Sequence, residues 1–199
     1  MARYDRALLG FELSLESVDE LLMLQEALDE PLRAMEGVTV QWSEATMIQV
    51  ALKSFGALDP ALWLRVGELV EHVASSLVPF KVELEAVSAH PSAGSARLIQ
   101  ARLGMGSELA QGLHKVIEEY LERIGIAKDP RPFWPGAVVG LVGSERGAVD
   151  LGEVLEGCAP GGGLGETFVR DLVLYRGQLK RGRPRWTVQR RFPLGKREG

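Results

Sequence analysis

Apolar residues recur at intervals of three and four in three parts of the chain. Leu21, Leu22, Leu24, Leu28 and Leu32 follow Ser17-Val18-Asp19-Glu20, a hydroxyl with a carboxylate three residues on. That capping pattern predicts a helix that starts at Ser17 and fades around Pro31. Between Pro60 and Leu77 the set is Leu62, Val66, Leu69, Val70, Val73 and Leu77. Between Ser107 and Ile124 it is Leu109, Leu113, Val116, Ile117, Tyr120, Leu121 and Ile124. Each predicts a helix with one buried stripe. Strands are predicted where residues alternate or are rich in β-branched and aromatic types: Ala7 to Leu13, Val38 to Trp42, Met47 to Phe55, Phe80 to Val87, Arg97 to Arg102, Gly136 to Val142, Thr167 to Arg176 and Arg185 to Phe192. Phe80-Lys81-Val82-Glu83-Leu84-Glu85 alternates most cleanly, so one face of its sheet should be wet. The interval from Ser144 to Glu166, broken by glycines, reads as a loop or a short helix plus loop. Helices and strands mix without strict βαβ alternation, which points to an α+β fold with antiparallel sheets.

Composition narrows the class. With 46% hydrophobic and 25% charged residues among 199, the chain is neither disordered nor a polybasic arm, and it can bury a sizeable core. The formal charge of -4 conceals an asymmetry: from Arg170 to Gly199 there are ten cations against Asp171 and Glu198, on an otherwise acidic body. Such a hairpin could present a phosphate-binding face. The plainer reading is that exposed Lys and Arg keep a sheet edge from pairing with another chain. The single cysteine, Cys158, forms no internal disulfide. Met1 to Asp5 lacks the start of a signal peptide, and no apolar run reaches the roughly 18 residues of a membrane span. A cytoplasmic monomer with no membrane association is the expectation.

Met47-Ile48-Gln49-Val50-Ala51-Leu52-Lys53-Ser54-Phe55-Gly56 resembles a motif strand of the 2H phosphoesterase superfamily, the 2'-5' RNA ligase and RNA 2',3'-cyclic phosphodiesterase group. Further along, the resemblance is carried by Pro79-Phe80 with its alternating strand, His90-Pro91, Arg131-Pro132-Phe133-Trp134-Pro135, Val173 to Leu179, and Arg191-Phe192-Pro193-Leu194-Gly195. It covers nearly the whole chain, from about Ala7 to Gly195. It implies one bilobed domain spanning residues 1–199, with two antiparallel sheets facing a central cleft and helices packed outside. Each lobe of the family contributes one His-x-Thr from a central strand. One histidine takes a proton from the nucleophile, the other protonates the leaving oxygen, and the hydroxyls hold the phosphate.

At those positions this chain reads differently. The first motif is Gln49-Val50-Ala51 and the second is Gly136-Ala137-Val138, so both histidines and both threonines are replaced. An amide does not titrate in the working range, and glycine has no side chain. Leu141 stands where many members carry an arginine. A positioned acid or base contributes about 10²- to 10⁴-fold, so loss of both argues against phosphodiesterase activity. The sequence therefore assigns no catalytic residue, no metal and no cofactor. A ligand site is expected at Gln49, Ala51, Lys53, Gly136 and Val138, for RNA, a nucleotide or a protein partner, with Lys53 near the cleft mouth. The alternative is an active RNA 2',3'-cyclic phosphodiesterase or 2'-5' ligase that uses other residues, for instance a carboxylate such as Glu44 or Asp129 swinging into the cleft.

The remaining candidates are weaker in chemistry. His72 falls off the apolar stripe of its helix, His114 reads as a rim residue, and His90 as part of a Pro-flanked turn. Gly161-Gly162-Gly163-Leu164-Gly165 has no Lys-Ser/Thr after it and reads as a flexible loop rather than a phosphate loop. Cys158 has no histidine or lysine nearby in sequence to activate it. Trp42 and Trp134 flank the two motif strands and could stack on bases, although aromatic residues so placed more often belong to the core.

Overall fold

The alternating segments pair into a curled antiparallel sheet that carries the helices on its convex side. The structure, a computed structural model, describes residues 6–145, 147–158, 163–180 and 183–195. Met1 to Asp5, Gly161 and Gly162 of the glycine run, and Arg181, Lys196, Arg197 and Glu198 of the basic C-terminal segment lie outside the described residues. In chain order the elements are β1 (Arg6–Glu12), α1 (Leu15–Ala34), β2 (Val38–Trp42), β3 (Gln49–Ala57), α2 (Pro60–Ser76), β4 (Phe80–His90), β5 (Leu98–Leu103), α3 (Ser107–Arg123), β6 (Gly136–Ser144), α4 (Gly152–Gly157), β7 (Glu166–Val169), β8 (Asp171–Lys180) and β9 (Arg183–Pro193), with two short 3-10 turns between. The order across the sheet is β7-β4-β5-β6-β3-β1-β8-β9, and β2 pairs with the second half of β6. The expected α+β architecture of two antiparallel sheets around a cleft is thus present, as two half-sheets continuous through β3 and β6. Those two strands meet through one residue pair, Val50 and Ala137.

Each helix forms for reasons visible in its residues. In α2, Asp59 caps the first turn by accepting from the Leu62 amide at 2.8 Å, and Pro60 occupies a position where no amide is needed. Its buried stripe is Val66, Leu69, Val70 and Val73; that of α3 is Ala110, Leu113, Ile117 and Leu121. The first helix starts three residues earlier than its sequence predicts. Ser14, not Ser17, is the cap, accepting from the Ser17 amide at 3.1 Å. Ser17 is buried, and its hydroxyl donates to the Glu166 carbonyl at 3.2 Å. The helix also runs through Pro31 to Ala34. A proline there leaves the carbonyl four residues back without its amide donor. That carbonyl, of Ala27, instead accepts from the Cys158 thiol at 3.7 Å at the end of α4, which gives the lone cysteine a structural part.

Two strand boundaries also depart from the alternation pattern. The predicted strand from Thr167 to Arg176 is two strands, β7 beside β4 and β8 beside β1, so the chain passes from one half-sheet to the other at Arg170. A bend at one residue leaves period-two alternation almost intact, and the sequence does not display it. β4 continues to His90, which therefore belongs to a strand and not to a turn. The half-sheets share one hydrophobic core, in which Leu9, Phe11, Leu28, Val50, Ile99, Ile117, Leu121 and Ala137 are sealed from solvent.

Replacing Ser14 with alanine removes the α1 cap, and a loss of about 1 kcal/mol is expected in urea unfolding, with an unchanged m-value.

Candidate functional site

The site is best built outward from the Val50–Ala137 pair, because residues on either side of it alternate between core and cleft. Val50 and Ala137 point into the core and are fully buried. Their neighbours Gln49, Ala51, Gly136 and Val138 accordingly share the opposite, concave face. The first half-sheet contributes to this face Glu12 opposite Gln49, Gly10 opposite Ala51 and Val173, and Leu8 opposite Tyr175. The second contributes three cross-strand rows: Ala86, Arg102 and Gly136; Ser88, Gln100 and Val138; and His90, Leu98 and Leu141.

The structure brings four of the five expected ligand residues together and turns the fifth away. Strict alternation would place Lys53 beside Ala51. The register between β1 and β3 shifts at this point: Gly10 faces Ala51, whereas Leu9 faces Lys53. A bulge of this kind reverses the parity of everything beyond it. Lys53 thus shares the core-side face of Leu9 and is buried, with Nζ 2.6 Å from Glu118 Oε1 on α3 and donating to the Ala127 carbonyl at 3.1 Å. The contact with Oε1 is an ion pair by proximity and is not aligned as a hydrogen bond. The other oxygen, Oε2, accepts from the Asp129 amide at 3.2 Å. The lysine fastens the Ala127–Asp129 segment to β3 and has no part at the cleft mouth.

Gly136 has no room for a side chain of any kind. A Cβ there would lie 2.3 Å from the Ala101 carbonyl oxygen and 2.7 Å from Gln100 Nε2. The Gln100 amide takes up this space and donates to the Trp134 carbonyl at 2.9 Å. On the first half-sheet, Gln49 is nine-tenths buried and helps line a cavity of about 690 Å³ with Glu12, Val18, Tyr175, Trp186 and Val188. Burial, reinforced by the Glu12 charge and opposed by Arg191, pushes the Tyr175 phenol well above its ordinary value, so it exchanges no proton near neutrality.

None of the three histidines reaches the seam. His72 is exposed on α2, as its sequence position predicts, with its ring 5.9 Å from that of Tyr120. His114 lies half-buried against Phe133, ring centroids 4.2 Å apart, and its Nδ1 is 2.7 Å from the Leu52 carbonyl, so it closes the stretch of β3 that β6 leaves unpaired. His90 is on the cleft face but two strands from β6, stacked on Trp134 at 4.2 Å and 23° and 3.2 Å from Ser88 Oγ. Partial burial, then the charge of Arg102, hold its pKa below the usual histidine value.

The two carboxylates of the alternative reading are also engaged. Asp129 receives Nε and Nη2 of Arg131 at 2.9 and 2.6 Å, and these bonds hold its carboxyl far below the usual range, so it is a poor base. Glu44 faces Arg185 at 3.4 Å on the surface. The basic hairpin is similarly tied to the acidic body. Arg190 pairs with Glu71 at 2.7 Å, and Arg191 grips Glu12 with both terminal nitrogens, Nη2 donating to Oε1 at 2.8 Å. Among the described residues, no group of three or more His, Cys, Asp or Glu side chains could hold a metal ion. Likewise, no helix of the described residues is long and apolar enough to cross a membrane.

Trp42 is packed against the core and donates to Asp29 at 2.8 Å, in keeping with the plainer expectation for it. Trp134 departs from that expectation: it is 43% exposed on the cleft side. The polar row around it was legible in principle, since Ser88 and His90, and Gln100 and Arg102, are each two apart on a strand. Only the pairing of β4 with β5 reveals that they share a face.

No protein-family model matches the chain, and no curated protein matches it in sequence. Solved structures do. The Thermus thermophilus protein TT0787 superposes with a TM-score of 0.77 over 97% of this chain and 100% of its own, at 19% identity. E. coli LigT in complex with 3'-AMP gives 0.68 over 96% and 98%, at 18% identity. A structure described as a phosphoesterase gives 0.72 over 98% and 100%, at 19% identity. The chain therefore has the LigT-like fold over nearly its full length.

Two substitutions check this geometry. Glu118→Gln leaves Lys53 buried without a counter-charge and should cost about 3–5 kcal/mol in chemical denaturation, while the Lys53→Met, Glu118→Leu double variant should recover most of it. Gly136→Ala, a change of one methyl group, should cost about 1–3 kcal/mol because backbone and not a flexible side chain stands in its way.

Proposed function

We propose that the chain is a catalytically degenerate relative of the 2'-5' RNA ligase and cyclic phosphodiesterase group, which uses the cleft to bind RNA or a nucleotide without cleaving it. The observation that carries this reading is Gly136. Its position matches the second motif histidine, and the Ala101 carbonyl leaves no space there for even a methyl group. The remaining motif positions, Gln49, Ala51 and Val138, can line a ligand but cannot move a proton. The LigT-like fold and the nucleotide complex of E. coli LigT support a nucleotide over a protein partner as the occupant. The polar residues Ser88, Gln100 and Arg102 on the cleft face agree with that chemistry.

Loss of a general acid and a general base, each about 10²- to 10⁴-fold, takes the reaction close to background. Incubation of the purified protein with 2',3'-cyclic nucleotides and with RNA ending in a 2',3'-cyclic phosphate should therefore give no product above a protein-free control. Turnover comparable with that of an intact family member would overturn the proposal.

A further inference from the structure

We infer that the concave face of the second half-sheet holds a mononucleotide unit, a base stacked on the Trp134–His90 ring pair and its phosphate held by Arg102. This rests on the nucleotide-binding reading above and extends it from the row of Gly136, where Arg102 lies, across the second half-sheet.

Trp134 is the first observation. A large apolar side chain that is 43% exposed in a cleft has a face to offer. It is also fixed in place: its ring is stacked on His90 at 4.2 Å, and its backbone carbonyl accepts from Gln100 at 2.9 Å. A ring already immobilised loses little freedom when a base settles on it, and every base has a π-face to present.

Arg102 supplies the charge. It is exposed, lies in the same cross-strand row as Gly136, and its positive charge is felt at His90. Three other cations are committed elsewhere. Arg191 on the facing half-sheet is neutralised by Glu12, Arg185 faces Glu44, and Lys53 is buried against Glu118. Among the described residues, Arg102 has no carboxylate within ion-pairing distance, so an anion meets an unneutralised guanidinium there. Ser88 Oγ and the His90 ring nitrogen add hydrogen-bonding groups beside the stack. An aromatic platform and a cation on one sheet face, with Ser88 in the row between, fit a base joined to a phosphate and do not fit an apolar ligand.

The test is calorimetric titration of the full chain with 3'-AMP, adenosine and inorganic phosphate at two salt concentrations. Trp134→Ala should weaken 3'-AMP and adenosine alike by about five- to a hundredfold, and Trp134→Phe should restore most of the affinity. Arg102→Ala should weaken 3'-AMP but not adenosine and should flatten the salt dependence of 3'-AMP binding. Should Trp134→Ala fail to fold by circular dichroism, the phenylalanine and Arg102 variants decide the matter. Wild-type binding of 3'-AMP that none of these substitutions changes would overturn the inference and leave the nucleotide-binding reading standing. Absence of 3'-AMP binding to the wild type would remove both.

Discussion

Val50 and Ala137 are the one point at which β3 and β6 pair, and the two half-sheets diverge from there. On either side of this join, β3 and β6 approach their other neighbours closely, backbone against backbone. A Cβ on Gly10 would sit 2.2 Å from the Val50 carbonyl oxygen, and one on Gly136 would sit 2.3 Å from that of Ala101. These close approaches lie within each half-sheet, β1 on β3 and β6 on β5, and exclude side chains at both positions. Residues adjoining the pair must face the cleft because the pair itself faces the core, yet one of these positions has no space for a functional group. Position 136 thus limits which side chains the concave face can carry beside the pair.

Charge in the molecule follows a related logic. The acidic body and basic C-terminal segment look, in composition, like a partner-binding asymmetry. In the folded chain much of it is internal: Arg185, Arg190 and Arg191 reach back to Glu44, Glu71 and Glu12. Exposed pairs of this kind contribute little to stability. Arg191 is thereby neutralised on the cleft face, whereas the Arg190 pair lies on the helix side against α2. The buried Lys53–Glu118 pair differs in kind, since neither charge reaches water and each requires the other to stay buried.

Much of this was legible in the residues. Three long helices showed themselves through the spacing of their leucines and valines, because an amphipathic helix repeats one rule over four or five turns. What escaped were single-residue events. The bulge opposite Leu9 and Gly10 moves Lys53 across the sheet while leaving the apolar pattern of β3 in order. The crossing at Arg170 divides one alternating run between two half-sheets. His90, Arg102 and Trp134 lie far apart in sequence, and only strand register and ring stacking make them neighbours. Pattern reports which face a residue prefers; it is silent on which strands stand side by side.

The crowding at position 136 bears on how the chain could change over generations. A codon for histidine there is one matter and a seated imidazole another, because the obstacle belongs to the neighbouring strand. Seating any side chain there would require β5 to move away from β6 and the Gln100 amide to yield. The limit at this position is set by a carbonyl oxygen of β5, which no single side-chain replacement removes.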